Sequence, residues 1–415
     1  MANALTLRVP RWRWLPPETT ADASVVILAR GARAFADGVI SVLLPVYLLN
    51  IGFSGLQIGA VATATLAGSA ALTLAVGLIA HRFRMRRLLL NAALLMMITG
   101  VCFTLLRDFW PLMVVAFIGT LNPSSGDVSV FLPLEQSVLP QTTSPRQRTA
   151  LFARYSLVGS LLGAFGALCA GVPDFIASRL GLGLMQVLPG IFVLYAAFGL
   201  IAGSLYRHLS PRLEEERTAH APLGESRNFV YTLAALFSLD SFGGGLVVQS
   251  LLAFWLFQHF ALSVATAGTI FFWTGVFSAI SYLLAARLAG RIGLVNTMVF
   301  THLPSNILLL LVPFMPNLPL AIALLLARSA LSQMDVPVRN SYVMAVVPPA
   351  ERPAAASLTS VPRSLASAAS PLLSGYLLGL STFGWPLVLA GGLKAVYDVL
   401  LLVVCTRVRP PEEIA

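Results

Sequence analysis

Long apolar runs separated by short polar turns divide this chain from end to end. Leu56–Ala80 and Leu88–Leu106 are two such runs. Each is long enough to cross about 30 Å of hydrocarbon as a helix. The same pattern predicts spans at Ser24–Leu49, Trp110–Val138, Thr149–Gly171, Leu184–Tyr206, Phe229–Phe257 and Val264–Ala289, from Thr297, at Leu318–Val347, from Ala355, and at Trp385–Val404. The expectation is therefore an all-α membrane protein of twelve transmembrane helices. Within the fourth run, Asn122–Gln136 holds two prolines, Gly126, Asp127 and Glu135. A kinked or unwound helix is expected there, tolerated only where it faces protein or water.

Composition agrees with the pattern. Of 415 residues, 57% are hydrophobic and 11% charged, against about 25% charged in soluble domains. A net charge of +10 would point to nucleic acid in a soluble chain. Here the arginines crowd into short turns, so topology and anionic headgroups account for them, with the lipid bilayer as partner and no nucleic acid. The turns after the even-numbered spans, and both termini, carry nearly all the Arg. Both termini are then expected inside a cytoplasmic (inner) cell membrane. Arg207–Asn228 is the one long polar stretch. It divides the chain into residues 1–206, a cytoplasmic linker 207–228, and residues 229–415. The opening residues are not expected to form a cleavable signal, because prolines follow the basic part. The three cysteines have no metal-ligand spacing, and no metal or cofactor is expected. Lys394 is the only lysine, read as a bias toward arginine codons.

The turn Gly77–Arg87, GLIAHRFRMRR, has an echo in Ala286–Met298 at an offset of 209 residues. The same offset pairs Gly59 with Gly268 and Arg154 with Arg363; an offset of 208 pairs Asp127 with Asp335 and Pro140 with Pro348. An offset of half the chain is an internal repeat. The turn itself resembles the loop between helices 2 and 3 of the major facilitator superfamily. Gly77, Ala80, Arg82 and Arg86 fall on family positions, while His81 stands where the family has Asp. This resemblance implies two pseudo-symmetric six-helix bundles. It also implies a small-molecule substrate, a monomer, and a central cavity lined by helices 1, 4, 7 and 10. Gly77, His81, Arg82, Arg86, Glu135, Arg154 and Arg363 are the implied cytoplasmic gate, with Glu135 and Asp335 as acids for Arg154 and Arg363.

Charges inside a span are costly and are read as functional with a partner named. Each presumed cavity helix holds one deep acid: Asp37, Asp127, Asp240 and Asp335. Arg33–Asp37 and Asp335–Arg339 are spaced to share a helix face. So are Lys394 and Asp398, expected to neutralise each other on a peripheral helix. His302 is expected to serve packing. Asp240 has no basic residue within four positions; it is the expected proton carrier unless an Arg reaches across to it, because a buried carboxylate without a cation takes up protons readily. The expected function is proton-coupled transport of a small organic solute by alternating access. An export antiporter is favoured by Gly159, Gly163 and Gly166, which resemble the helix-5 motif of superfamily antiporters. The rival is uptake of an anionic solute clamped by Arg33, Arg328 and Arg339. Lipid flipping and a transport-inactive receptor or scaffold are further alternatives. Enzyme motifs such as G-x-S-x-G and H-E-x-x-H are absent, so no enzyme is expected.

Overall fold

The computed structural model describes residues 15–16, 18–79, 83–124, 129–144, 147–210, 224, 226–348 and 351–406. His81, Arg82, Asp127 and most of the linker therefore lie outside the described residues. Seventeen α-helices occur among the described residues: α1 (Ala21–Asn50), α2 (Gly55–Ile79), α3 (Met85–Leu105), α4 (Phe109–Ile118), α5 (Phe131–Val138), α6 (Arg148–Leu168), α7 (Val172–Leu180), α8 (Leu184–Val187), α9 (Pro189–Tyr206), α10 (Arg227–Leu246), α11 (Gln249–Phe260), α12 (Val264–Ile292), α13 (Leu294–Leu311), α14 (Leu318–Ser332), α15 (Asp335–Val346), α16 (Arg352–Leu380) and α17 (Trp385–Cys405). Ten stretches are long and apolar enough to cross a membrane. The other two expected spans differ from these ten. The fourth is broken into α4 and α5, and α16 is long but rich in Ser and carries Pro362 and Pro371.

Three spans are broken. After α4 the chain leaves helical geometry from Gly119 onward, as the two prolines and Gly126 predict. Its freed backbone is met from the other half of the chain: Ser250 N–H donates to the Pro123 carbonyl at 3.0 Å. Asn122 Oδ1 also accepts from Ser124 N–H at 3.1 Å. The seventh span breaks between α10 and α11, after Gly243–Gly245. The tenth breaks between α14 and α15, which puts the Asp335 carboxylate in the first turn of α15, where helix N–H groups favour an anion. Neither of these two breaks is expected from the sequence.

Small residues bring the helices to backbone contact, as membrane interiors require. A Cβ on Gly38 of α1 would lie 2.0 Å from the Gly163 carbonyl oxygen of α6, and one on Gly166 would lie 2.0 Å from that of Phe35. The helix-5 glycines are therefore spent on α1–α6 packing. The two halves meet in the same way at the end away from the Arg-rich turns. A Cβ on Gly59 of α2 would stand 2.6 Å from the Pro371 carbonyl of α16, and one on Gly375 would stand 2.4 Å from that of Gly55. A Cβ on Gly268 of α12 would meet the Ala167 carbonyl of α6 at 2.4 Å. Polar ties cross the same seam: Gln249 Nε2 donates to Ser41 Oγ at 2.8 Å, and Leu372 N–H to Thr63 Oγ1 at 2.9 Å.

Candidate functional site

Beneath that seam, between the halves, lies a cavity of about 390 Å³. Ligand sites commonly fall between about 300 and 1,000 Å³. Its charged lining comes from α1 (Arg30, Asp37), α10 (Asp240), α14 (Arg328), α16 (Arg363) and α17 (Lys394). Among the described residues, that is four cations against two carboxylates. Much of the remaining wall is hydroxyl or amide: Asn122, Ser124, Ser160, Ser241, Gln249, Ser278, Tyr282, Ser329, Ser332, Gln333 and Ser367. Phe271 is the one phenylalanine in the lining.

Asp240 is the hub of the second half. Its Oδ1 accepts from Lys394 Nζ at 2.5 Å and its Oδ2 from Arg339 Nη1 at 3.1 Å. Arg339 also reaches Asp335 at 3.3 Å, the expected pair one helical turn apart. His302 of α13 approaches Asp240 with Nε2 at 3.8 Å and bonds Asp398 through Nδ1 at 2.8 Å. Asn306 Nδ2 donates to the other Asp398 oxygen at 2.8 Å. The condition placed on Asp240 is met, because Arg339 and Lys394 reach it from other helices. One sequence expectation falls here. Lys394 and Asp398 do not neutralise each other: Lys394 turns toward α10, where Gly243 leaves room, and Asp398 turns toward α13. A Cβ on Gly243 would sit 3.0 Å from Lys394 Cγ. Linear spacing on one helix could not reveal this, since the partners come from two others.

The first half has a counterpart. Glu135 of α5 is completely buried, and its Oε2 accepts from Arg33 Nη2 at 2.5 Å and from Tyr155 Oη at 2.6 Å. Oε1 accepts from Tyr206 Oη at 2.5 Å. The Arg33 guanidinium also covers the Phe131 ring, 4.1 Å from its centroid. Arg33 is thus held by Glu135 behind the cavity wall, while Asp37 lines the cavity. In both halves the first span is bonded to the fourth by a buried ion pair, but the polarity is reversed. Arg33 bonds Glu135 in one half, and Asp240 bonds Arg339 in the other.

The other expected residues separate. Arg328 lines the cavity and, among the described residues, makes no hydrogen bond or ion pair, its Nε being buried without one. Arg363 also lines the cavity. Its Nε donates to Ser241 Oγ at 3.2 Å, and its guanidinium lies 5.9 Å from the Phe237 centroid. No carboxylate pairs with it among the described residues. The expected acids are taken, Glu135 by Arg33 and Asp335 by Arg339. Arg154 is half-buried and makes no ion pair among the described residues, so the expected gate pairs of Arg154 and Arg363 are not formed. Gly77 falls within α2 and Arg86 in the first turn of α3. Arg339 and Asp335 stand behind the cavity wall rather than on it. Missed by sequence reasoning were Arg30, His302, Lys394 and Asp398 as members of the central network, together with Tyr155 and Tyr206. For Lys394 a signal existed, one lysine among 27 basic residues.

A family model described as Major Facilitator Superfamily matches residues 26–255 and 231–415. The chain belongs to the major facilitator superfamily. It is a multi-pass membrane transporter, not an enzyme. This superfamily member is 24% identical over 405 residues to the uncharacterized membrane protein YJR124C of Saccharomyces cerevisiae, across 89% of this chain and 90% of that one. The solved nucleoside transporter NupG superposes with a TM-score of 0.70 at 13% identity, covering 93% of this chain and 99% of its own. The human organic anion transporter MFSD10 (TETRAN) does so with a TM-score of 0.64 at 20% identity, over 93% and 100%. At these identities the structures attest the fold.

Proposed function

We propose that this transporter carries a small hydrophilic organic anion by alternating access, coupled to protons. The observation that carries the reading is the pair Arg328 and Arg363, two guanidinium groups lining one cavity with no carboxylate bonded to either among the described residues. A cation inside a membrane span is expensive unless paired. The cavity acid Asp240 already gives one oxygen to Lys394 and the other to Arg339. A carboxylate or phosphate on the substrate supplies the missing charge, and guanidinium groups bind such oxyanions with directed bonds. The hydroxyl-rich lining favours a polar solute over an aromatic one. MFSD10, named an organic anion transporter, agrees with this reading through likeness of fold alone.

The two halves, 1–206 and 229–415, rock about the cavity with 207–228 between them. The Arg-rich turns and both termini face the cytoplasm of the inner cell membrane, so the glycine seam closes the outer end. The export reading leaned on the helix-5 glycines, and α1–α6 packing now accounts for these. Direction follows from the sign of coupling. In the test, purified protein in liposomes receives an imposed pH gradient, and proton flux is recorded on adding lactate, gluconate or glycerol phosphate, with ribose and choline as neutral and cationic controls. Flux is expected with at least one acid, and is lost in Arg328→Ala. Flux with choline or ribose, and none with the acids, overturns the anion reading.

A further inference from the structure

A composition of 26 arginines and one lysine is usually explained by codon bias, and then the position of the exception is arbitrary. It is not arbitrary here. Lys394 is the sole lysine of the chain, and its Nζ lies on the cavity wall, 2.5 Å from Asp240 Oδ1. Arg and Lys differ in one property that matters at such a place. A guanidinium stays protonated in proteins, whereas a buried ammonium can give up its proton. Among the described residues, every other basic side chain facing the cavity, Arg30, Arg328 and Arg363, is a fixed charge.

The groups around Lys394 complete the picture. Asp240 and Gly243 come from α10, and Arg339 and Asp335 from α15. His302 and Asn306 come from α13, and Tyr397 and Asp398 share α17 with Lys394. Arg339 bonds the second Asp240 oxygen, so Asp240 keeps a cation when Lys394 is neutral. His302 is engaged by Asp398. The proton can therefore leave Lys394 without stranding the Asp240 carboxylate.

From this juxtaposition of the only amine with a doubly bonded cavity carboxylate, we infer that Lys394 is the proton-exchanging cation of the transporter, and that its proton and the substrate anion occupy the cavity together. The inference rests on the anion reading above. In the releasing step the Lys394 Nζ–H bond breaks and the proton passes to Asp240 Oδ1, leaving an amine and a carboxyl. The carboxyl then gives that proton to cavity water and returns to a carboxylate bonded to Arg339. The cavity has lost one positive charge, and the anion held by Arg328 and Arg363 is released. Proton and anion thus travel in the same direction, as symport.

Two measurements test this. In the first, purified wild-type protein in weak buffer is titrated with lactate, gluconate and glycerol phosphate, and a pH dye reports proton uptake from neutral to alkaline pH. Uptake on binding is expected at alkaline pH, with anion affinity falling about 5- to 150-fold as Lys394 loses its proton. In the second, Lys394→Arg is compared in liposomes. It keeps the charge, so anion exchange without a gradient should persist while pH-driven accumulation is lost. The doubly neutral Asp240→Asn/Lys394→Met protein keeps charge balance and should behave likewise if the Arg side chain does not fit. PH-driven accumulation retained in Lys394→Arg, or wild-type binding without proton uptake at any pH, overturns the assignment. Absence of any anion binding or exchange in the wild type would instead remove the anion reading itself.

Discussion

Glu135 accepts bonds from Arg33, Tyr155 and Tyr206 at a position with no exposed surface. A buried ion pair broken on one side leaves an uncompensated charge, at a cost of about 3–5 kcal/mol. Arg33→Ala should therefore destabilise the protein by that order, and so should Glu135→Gln, which leaves the Arg33 guanidinium buried without its carboxylate. Unfolding in detergent, run as a double-mutant cycle, should give a coupling near the single-variant cost. Additive losses would mean the two side chains do not act as a pair. None of this bonding was visible in the linear order. Arg33 has Asp37 one turn away, and the helix-spacing rule pairs them. The structure instead joins residues 102 positions apart. Spacing rules report neighbours on one helix, whereas a charge buried among several helices is settled by whichever partner lies across the interface. Asp335–Arg339 was legible because both residues share one helix face.

At the scale of elements, most spans could be read from their apolar length, and the break in the fourth from Pro123, Gly126 and Pro133. The breaks at α10–α11 and α14–α15 were not read, although Gly243–Gly245 precedes the first and Pro337 stands in the first turn after the second. The α2–α16 seam is also a property of two elements together. Gly59 and Gly375 are not paired with each other by the repeat, yet each lies where a Cβ would enter the other helix. Gly375→Val should leave the fold intact but oppose closure at this end. Cysteines placed at Ser41 and Gln249, which are bonded across the seam, should then react faster with a polar thiol reagent added from outside than in the parent protein. Equal labelling would show that the seam does not hold the closed state.

The whole molecule keeps a repeat that was plain in the sequence, through offsets of 208 and 209 residues, but uses it asymmetrically. Each half bonds its first span to its fourth through a buried ion pair, with cation and anion exchanged between them. The second half adds Lys394, Arg328 and Arg363 to the cavity, so among the described residues the excess positive charge faces the cavity from that side. The repeat keeps the sign of Arg154 and Arg363 but not their place, since Arg363 lines the cavity and Arg154 does not. The claim on which the rest depends is that Arg328 and Arg363 hold an anion. Its most direct test is binding of lactate, gluconate and glycerol phosphate to purified protein, with each arginine changed to glutamine singly and together. Hydrogen bonds to charged groups contribute about 1.5–3 kcal/mol. Each single change should thus weaken binding of the preferred acid roughly ten- to a hundredfold, and the double change should abolish it. Binding of the acids by the double variant as tightly as by the parent protein would contradict the account.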